Sequence, residues 1–288
     1  SRHNQHIMAV IDSLPGISVT VEIDGETATE YDHEVSDNVD GGNRPEETPH
    51  VIRYIEAKPN ASFAFQLKSS GHRITAENNY GHECPDSRVG IILIIDGKEI
   101  PDMRYWYHDS YQGISPSSEP RIVPPDRLIK SYKQARSGST FKGTFRFGCL
   151  DVVENHELSG PDLSKQDQHV EGYGSLEVHL FMMIKRGWKD AKQIVNPDLA
   201  TSQPQDSNMP QQIDTKVLRG KALDCRATFD WSPSRTSLKR YSMAYVDPQK
   251  RPFARFEFRY RLRDGLIKEG IIRQPSLEDQ VEEISDKQ

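Results

Sequence analysis

Arg255, Arg259, Arg261 and Arg263 occupy every second position of one short stretch, with Glu257 among them, and Ala254, Phe256, Phe258, Tyr260 and Leu262 fill the intervening places. Planar guanidinium groups bind carboxylate and phosphate oxygens with paired N–H donors, so a row of them could hold a phosphate chain or an acidic protein tract. The competing reading is ion pairing across the sheet to the protein's own carboxylates, for which Glu177 and the acidic residues between positions 22 and 47 are available. The second reading is the stronger, because the net charge is −6 and no aromatic residue interleaves on the cationic side.

Four other groups of residues carry reactive types. Tyr105, Trp106, Tyr107 and His108, followed by Asp109 and Tyr111, form the densest aromatic cluster. Exposed rings there could stack on sugars or bases; on an edge strand, half of them would face the core, which is the stronger reading. His82, Glu83, Cys84 and Asp86 are metal-ligand types, but no second Cys/His pair completes a structural zinc set, so a polar loop is expected and no metal or cofactor. Asp151, Glu154, His156 and Glu157 supply paired carboxylates and an imidazole, the material of acid–base catalysis, with a solvated loop as the stronger reading. His179, two residues after Glu177, could titrate in a functional site or form a polar pair on an outer strand face. Gly-x-Ser-x-Gly, Gly-rich phosphate-binding and dinucleotide signatures are lacking.

The elements that must position these residues are strands. Side chains alternate faces with period two, so Ala254–Arg263 reads as a half-buried strand with a cationic outer face. Ile17 to Ile23 alternates with polar residues and ends in Asp24-Gly25, a hairpin turn signal. Val51–Glu56 and Ser62–Lys68 read as a strand pair joined by Lys58-Pro59-Asn60. Val89–Ile95 is a fully apolar central strand ending in a second Asp-Gly turn, Asp96-Gly97. Arg104–His108 is a short edge strand, and Thr140–Phe147 and Gly174–Ile184 are longer ones. Residues 160–168 read as a polar connection, and Val217–Phe229 is ambiguous between strand and helix. Leu277 to Ile284 has the spacing of a short amphipathic helix. Together these predict an all-β antiparallel β-sandwich, jelly-roll-like, with long loops and a short C-terminal helix.

The 288 residues can bury a core without staples. A mean hydropathy of −0.72 predicts sizeable loops. The expected organisation is a leader or tag over 1–8, one domain over 9–273 with a flexible insertion at 196–212, and a helix or tail over 274–288. Acidic residues dominate 22–47, whereas Lys216–Arg273 holds fifteen Lys/Arg against six Asp/Glu. No apolar run is long enough to cross a membrane, no signal-peptide pattern opens the chain, and three widely spaced cysteines (Cys84, Cys149, Cys225) read as reduced thiols. An intracellular protein, cytoplasmic or nuclear, is therefore expected.

Leu14-Pro15-Gly16-Ile17, Tyr54-Ile55-Glu56, Ile95-Asp96-Gly97, Gly174-Ser175-Leu176-Glu177-Val178, Pro252-Phe253-Ala254-Arg255-Phe256-Glu257-Phe258-Arg259-Tyr260-Arg261 and Gly270-Ile271-Ile272-Arg273 occur in that order. They resemble a family of uncharacterised fungal proteins known only as a domain of unknown function, over roughly Leu14 to Arg273. The Phe-Ala-x-Phe-x-Phe-x-Tyr-Arg element is its most specific motif. Members often carry a proline soon after Gly-Ile-Ile, where this chain has Arg273 and only later Pro275. The resemblance implies a fungal source and one β-rich domain; it carries no activity, cofactor or catalytic residue.

The functional expectation is a binding or interaction protein, using the arginine row and the Tyr105–Tyr111 cluster, with an unknown protein or polyanion as partner and nucleic acid the weaker candidate. The alternatives are an enzyme with a pocket between the sheets or at their loops, using His/Asp/Glu groups such as His108, Asp109, His156 and Glu157, and a carbohydrate-binding module.

Overall fold

The computed structural model describes residues 9–14, 16–32, 48–69, 87–100, 104–106, 126–136, 139–154, 164, 166–168, 170–189, 212–218, 221–234 and 240–274. The His82–Asp86 group, His156, Glu157, the segment 196–211 and the expected helix over 277–284 lie outside these residues. In chain order the strands are β1 (Ala9–Val10), β2 (Ile17–Ile23), β3 (Glu26–Thr27), β4 (Glu30–Tyr31), β5 (His50–Glu56), β6 (Phe63–Ser69), β7 (Ser87–Ile95), β8 (Lys98–Glu99) and β9 (Arg104–Trp106). They continue with β10 (Arg127–Ile129), β11 (Ser131–Arg136), β12 (Ser139–Cys149), β13 (Asp151–Val153), β14 (Ser175–Lys189), β15 (Gln212–Asp214), β16 (Cys225–Ser234), β17 (Arg240–Tyr245) and β18 (Ala254–Arg261), followed by helix α1 (Arg263–Lys268).

The largest sheet runs β4-β5-β18-β14-β7-β8, with β17 added to β14 and β9 to β7. A second sheet, β1-β2-β6-β10 with β3 on β2, adjoins a third, β11-β12-β16. The last two are sewn together where Phe147 donates its N–H to the Ala61 carbonyl at 2.9 Å and Asn60 donates to the Phe147 carbonyl at 2.8 Å. One core unites the three. Val19, Val21, Phe63, Phe65 and Leu67 contribute from one side, Phe145 and Phe147 from the adjoining sheet, and Ile91, Leu93, Leu176, Val178, Phe256 and Phe258 from the largest. Fully burying such side chains is worth about 1.5–3 kcal/mol each, which is why alternation alone selects the inward face of every strand.

The all-β expectation holds, and several strands fall where alternation places them. Both Asp-Gly pairs form hairpin turns, Asp24 and Gly25 at φ 51° and 87°, Asp96 and Gly97 at φ 51° and 71°, the left-handed pair a two-residue hairpin needs.

Three readings change. Val51–Glu56 and Ser62–Lys68 do not pair with each other: β5 joins β18 in parallel, and β6 pairs β2 in the other sheet. Residues 57–61 instead cross between layers, with Asn60 at φ 61°, so both strands can be apolar on the core side without being neighbours. Among the described residues the β-structure is mainly antiparallel, as expected, with β5–β18 and β13–β15 paired in parallel. Residues 166–168, read as a connection, belong to a helical turn, and the ambiguous stretch resolves as β16 from Cys225 onward. Helix α1 arrives directly after the arginine strand, where Leu266 is buried and Gly265 packs against Ala222 and Asp224.

Candidate functional site

β18 lies in the interior of the largest sheet, antiparallel to β14 and parallel to β5. Register sets its outer face: Arg255 stands between His179 and His50, Glu257 between Glu177 and Ile52, Arg259 between Ser175 and Tyr54, and Arg261 beside Glu56. The inner face, Ala254, Phe256, Phe258 and Tyr260, is fully buried.

Each guanidinium meets a carboxylate of the same chain. Arg255 Nη2 lies 3.2 Å from Glu177 Oε2, and its Nε lies 3.2 Å from His179 Nε2. His179 Nε2 is also 2.8 Å from Glu177 Oε2. A single ring nitrogen cannot donate to Glu177 and accept from Arg255 at once, so the imidazole tautomer chooses between them. Arg259 Nε donates to Glu257 Oε1 at 2.8 Å and its Nη1 to the Tyr54 hydroxyl at 3.2 Å, with the guanidinium 5.8 Å from the Tyr54 ring centre. His50 Nε2 is 3.1 Å from the other Glu257 oxygen, and Arg263 Nη1 is 3.3 Å from Glu56 Oε2.

The electrostatics follow this geometry. The His179 bond leads the effects holding the Glu177 carboxyl below its ordinary range, against the opposing effect of burial. For Glu257, burial opposes ionisation, but bonds from His50 and Arg259 outweigh it and hold the carboxyl at about 2. Burial likewise opposes the charge on Arg259, and Glu257 and Tyr54 reverse that and raise its pKa.

Arg261 differs from its neighbours. Its Nη1 donates to the Gly174 carbonyl at 3.0 Å and the Tyr260 carbonyl at 2.8 Å, its Nε meets Glu269 at 2.8 Å, and only 13% of its side chain is exposed. The Arg255 and Arg259 side chains are 37% and 38% exposed. Sequence spacing treats these residues alike; the structure makes Arg261 a fold residue and leaves Arg255, Arg259 and Arg263 at the surface.

Beside Arg261 lies a cleft of about 510 Å³, floored by Val170, Tyr173, Ala222 and Leu223 and rimmed by Asp167, Glu171, Lys221, Arg261 and Glu269. Lys221 Nζ is 2.6 Å from Asp167 Oδ1, so both cations of the rim are paired. Spacing gave no signal for it, since its walls come from four separated segments.

A further polar centre was legible only as a turn. Asp96 is buried, yet its carboxylate receives the Gly174 N–H at 2.9 Å, the Ala227 N–H at 2.7 Å and the Tyr260 hydroxyl at 2.6 Å. One side chain thereby joins the β7–β8 turn to the segment before β14, to β16 and to β18. Burial raises its pKa to about 6 against the pull of those hydrogen bonds.

Of the remaining predicted residues, only Asp151 and Glu154 have described side chains. Asp151 and Glu154 are exposed. Arg104–Trp106 pairs along β7, which fits an edge strand, but only the backbone of Tyr105 and Trp106 is described, and Tyr107, His108, Asp109 and Tyr111 lie outside the described residues. Among the described residues no three His, Cys, Asp or Glu side chains are grouped to hold a metal ion, and no helix is long and apolar enough to cross a membrane.

An all-β fold with an ion-paired arginine row and a polar end cleft defines the class of molecule. Within it, the chain belongs to the family described as a domain of unknown function, DUF7918, whose sequence pattern matches residues 16–275. No curated protein and no solved structure shows significant similarity to it.

Proposed function

We propose that this chain is a binding module that takes an extended acidic segment of a partner protein along the outer face of β18. The observation that carries this reading is the incomplete use of the surface guanidiniums. A guanidinium has five N–H donors. Among the described residues Arg259 spends two of them on its neighbours and Arg263 one, and Arg255 spends one on Glu177 and a second on His179 only in the tautomer whose Nε2 carries no hydrogen. The internal carboxylates hold these groups in place, and the Arg255 and Arg259 side chains remain 37% and 38% exposed. Arg255 and Arg259 are four residues apart on one strand, about 13 Å at the usual rise, so carboxylates four residues apart on an extended peptide match the row. A polyanion such as nucleic acid fits less well, because Glu177, Glu257 and Glu56 keep the face close to neutral. An intracellular setting belongs to the same proposal and rests on the cysteine usage.

The test is fluorescence anisotropy with a labelled peptide carrying Glu at every fourth position, against one with Gln there. Binding should be salt-sensitive and should fall at least tenfold in R255E/R259E. Arg261 is left untouched, because reversing it would break the fold rather than probe the surface. Equal binding by the double variant, or by the Gln peptide, refutes the reading.

The cleft favours a second reading, in which a small polar ligand or substrate enters beside Arg261 and displaces the Lys221–Asp167 pair. The enzyme alternative built on His108, Asp109, His156 and Glu157, and the carbohydrate alternative built on the Tyr105–Tyr111 cluster, rest on residues whose side chains lie outside those described.

A further inference from the structure

Cys149 and Cys225, 76 positions apart in the chain (225 minus 149), are direct partners in the β12–β16 ladder. The hydrogen-bond pattern fixes what kind of partners they are. Leu150 donates its N–H to the Asp224 carbonyl at 3.3 Å, which marks the next pair outward as a hydrogen-bonded one. Pairs alternate along an antiparallel ladder, so Cys149 and Cys225 form a non-hydrogen-bonded pair. The pair two steps inward agrees: Phe147 spends both backbone groups on residues 60 and 61, and Ala227 turns its N–H to Asp96. In a non-hydrogen-bonded pair the Cα atoms stand about 4.5 Å apart and the side chains share a face at their closest. That separation falls within the roughly 4.4–6.8 Å that disulfides span.

We propose that Cys149 and Cys225 are a modification site at which small disulfides of the oxidised-glutathione class install a cross-strand disulfide. The order of events follows from exposure. Cys149 is exposed, whereas Cys225 is buried. The Cys149 thiolate attacks one sulfur of the oxidant, its S–S bond breaks, and the departing thiolate takes up a proton. Cys225 then loses its proton to solvent and attacks the Cys149 sulfur of the mixed disulfide, expelling the second small thiol. Two protein thiols are oxidised and one external disulfide is reduced to two thiols, so the electrons balance. Burial first, and then the Asp96 and Asp224 carboxylates, push the Cys225 thiol up to about 12, which makes the second step the slow one.

The bond would fasten the end of β12 to the segment that enters β16. Ala222 and Leu223 of that segment floor the cleft beside Arg261, so the oxidation state is communicated to its wall.

The experiment uses the full chain carrying Cys84→Ser, held native in oxidised glutathione and followed by intact mass and non-reducing peptide mapping. The expected course is a glutathione adduct on Cys149 that decays into a species lighter than the starting protein by two hydrogen atoms. Its digest should link the peptides containing Cys149 and Cys225, and dithiothreitol should reverse it. Adding Cys225→Ser should arrest the reaction at the adduct. An adduct that persists in the protein retaining Cys225, a link that forms only after urea denaturation, or a disulfide-linked dimer in place of the internal bond each overturns the proposal.

Discussion

Glu30 offers the sharpest test of the forces holding the sheet edge. It sits in β4 opposite Ile55 of β5, on the side of the sheet that faces the core, and is 4% exposed. Among the described residues neither carboxylate oxygen has a well-formed hydrogen bond. Nearby Arg53 is committed to Asp32 at 2.6 Å, and its own Nε is buried without a partner. Burial therefore raises the Glu30 pKa from 4.5 to about 8, the Arg53 charge and the Ala9 amide offsetting only part of the effect. Between those two values the folded chain holds a proton that the unfolded chain has released. Stability from this group is thus fully present below pH 4.5 and is lost as pH rises through 8. A tenfold difference in proton affinity between the folded and unfolded chain is worth about 1.4 kcal/mol, so the whole window amounts to about 4–5 kcal/mol, a large share of a typical folding free energy.

Glu30→Gln keeps the shape and removes the titration. Urea unfolding of the two proteins from pH 4.5 to 8.5 at fixed ionic strength gives a difference curve in which every other group cancels. Glu30→Gln should match the native protein at the acid end and exceed it by a few kcal/mol at pH 8. Parallel curves would mean that Glu30 is ionised and solvated in the fold, and would refute the assignment of a buried neutral acid to this edge.

Two further substitutions probe the interior and the arginine row. Asp96→Asn keeps one acceptor oxygen but sets an amide NH₂ against one of the three donors now received, so unfolding should become easier by about 1–3 kcal/mol, and Asp96→Ala should cost more; urea midpoints unchanged in both would show that the buried cluster is not structural. Glu257 has a lowered pKa, about 2 against an ordinary 4.5, so it stabilises the fold above pH 4.5 and that contribution disappears as pH falls toward 2; Glu257→Gln should flatten the acid limb of the urea midpoint, and an acid limb as steep as before would remove Glu257 from the ladder.

How much of this was readable in the chain depends on whether a residue's role is local. The β2 and β18 strands, both Asp-Gly hairpins and the inward set Phe256, Phe258 and Tyr260 follow from period-two alternation and turn geometry, which act within a few residues. Partnership is not local. β5 and β6 have the same apolar alternation whether they pair with each other or with β18 and β2, so the hairpin reading of that region failed. Asp96 satisfies every rule for a turn residue, and the burial of its carboxylate depends on Tyr260, 164 positions away. Cys149 and Cys225 likewise became a pair only when the register was known.

The arginine row shows why residue type alone is a poor guide to a binding surface. Four arginines on one parity suggest one cationic stripe, yet the fold divides them. Arg261, with three hydrogen bonds and little exposure, fastens β18 to the turn before β14 and to the residue closing α1. Arg255 and Arg259 each rest on a carboxylate two strand positions or one strand away, so their charge is neutralised while their geometry is fixed. A neutralised row exerts little long-range attraction on a polyanion, but it presents oriented donors at short range. Selectivity on such a face comes from spacing and hydrogen-bond geometry more than from net charge, which is the reason the Gln-substituted peptide, and not salt alone, discriminates between a recognition surface and a structural ladder.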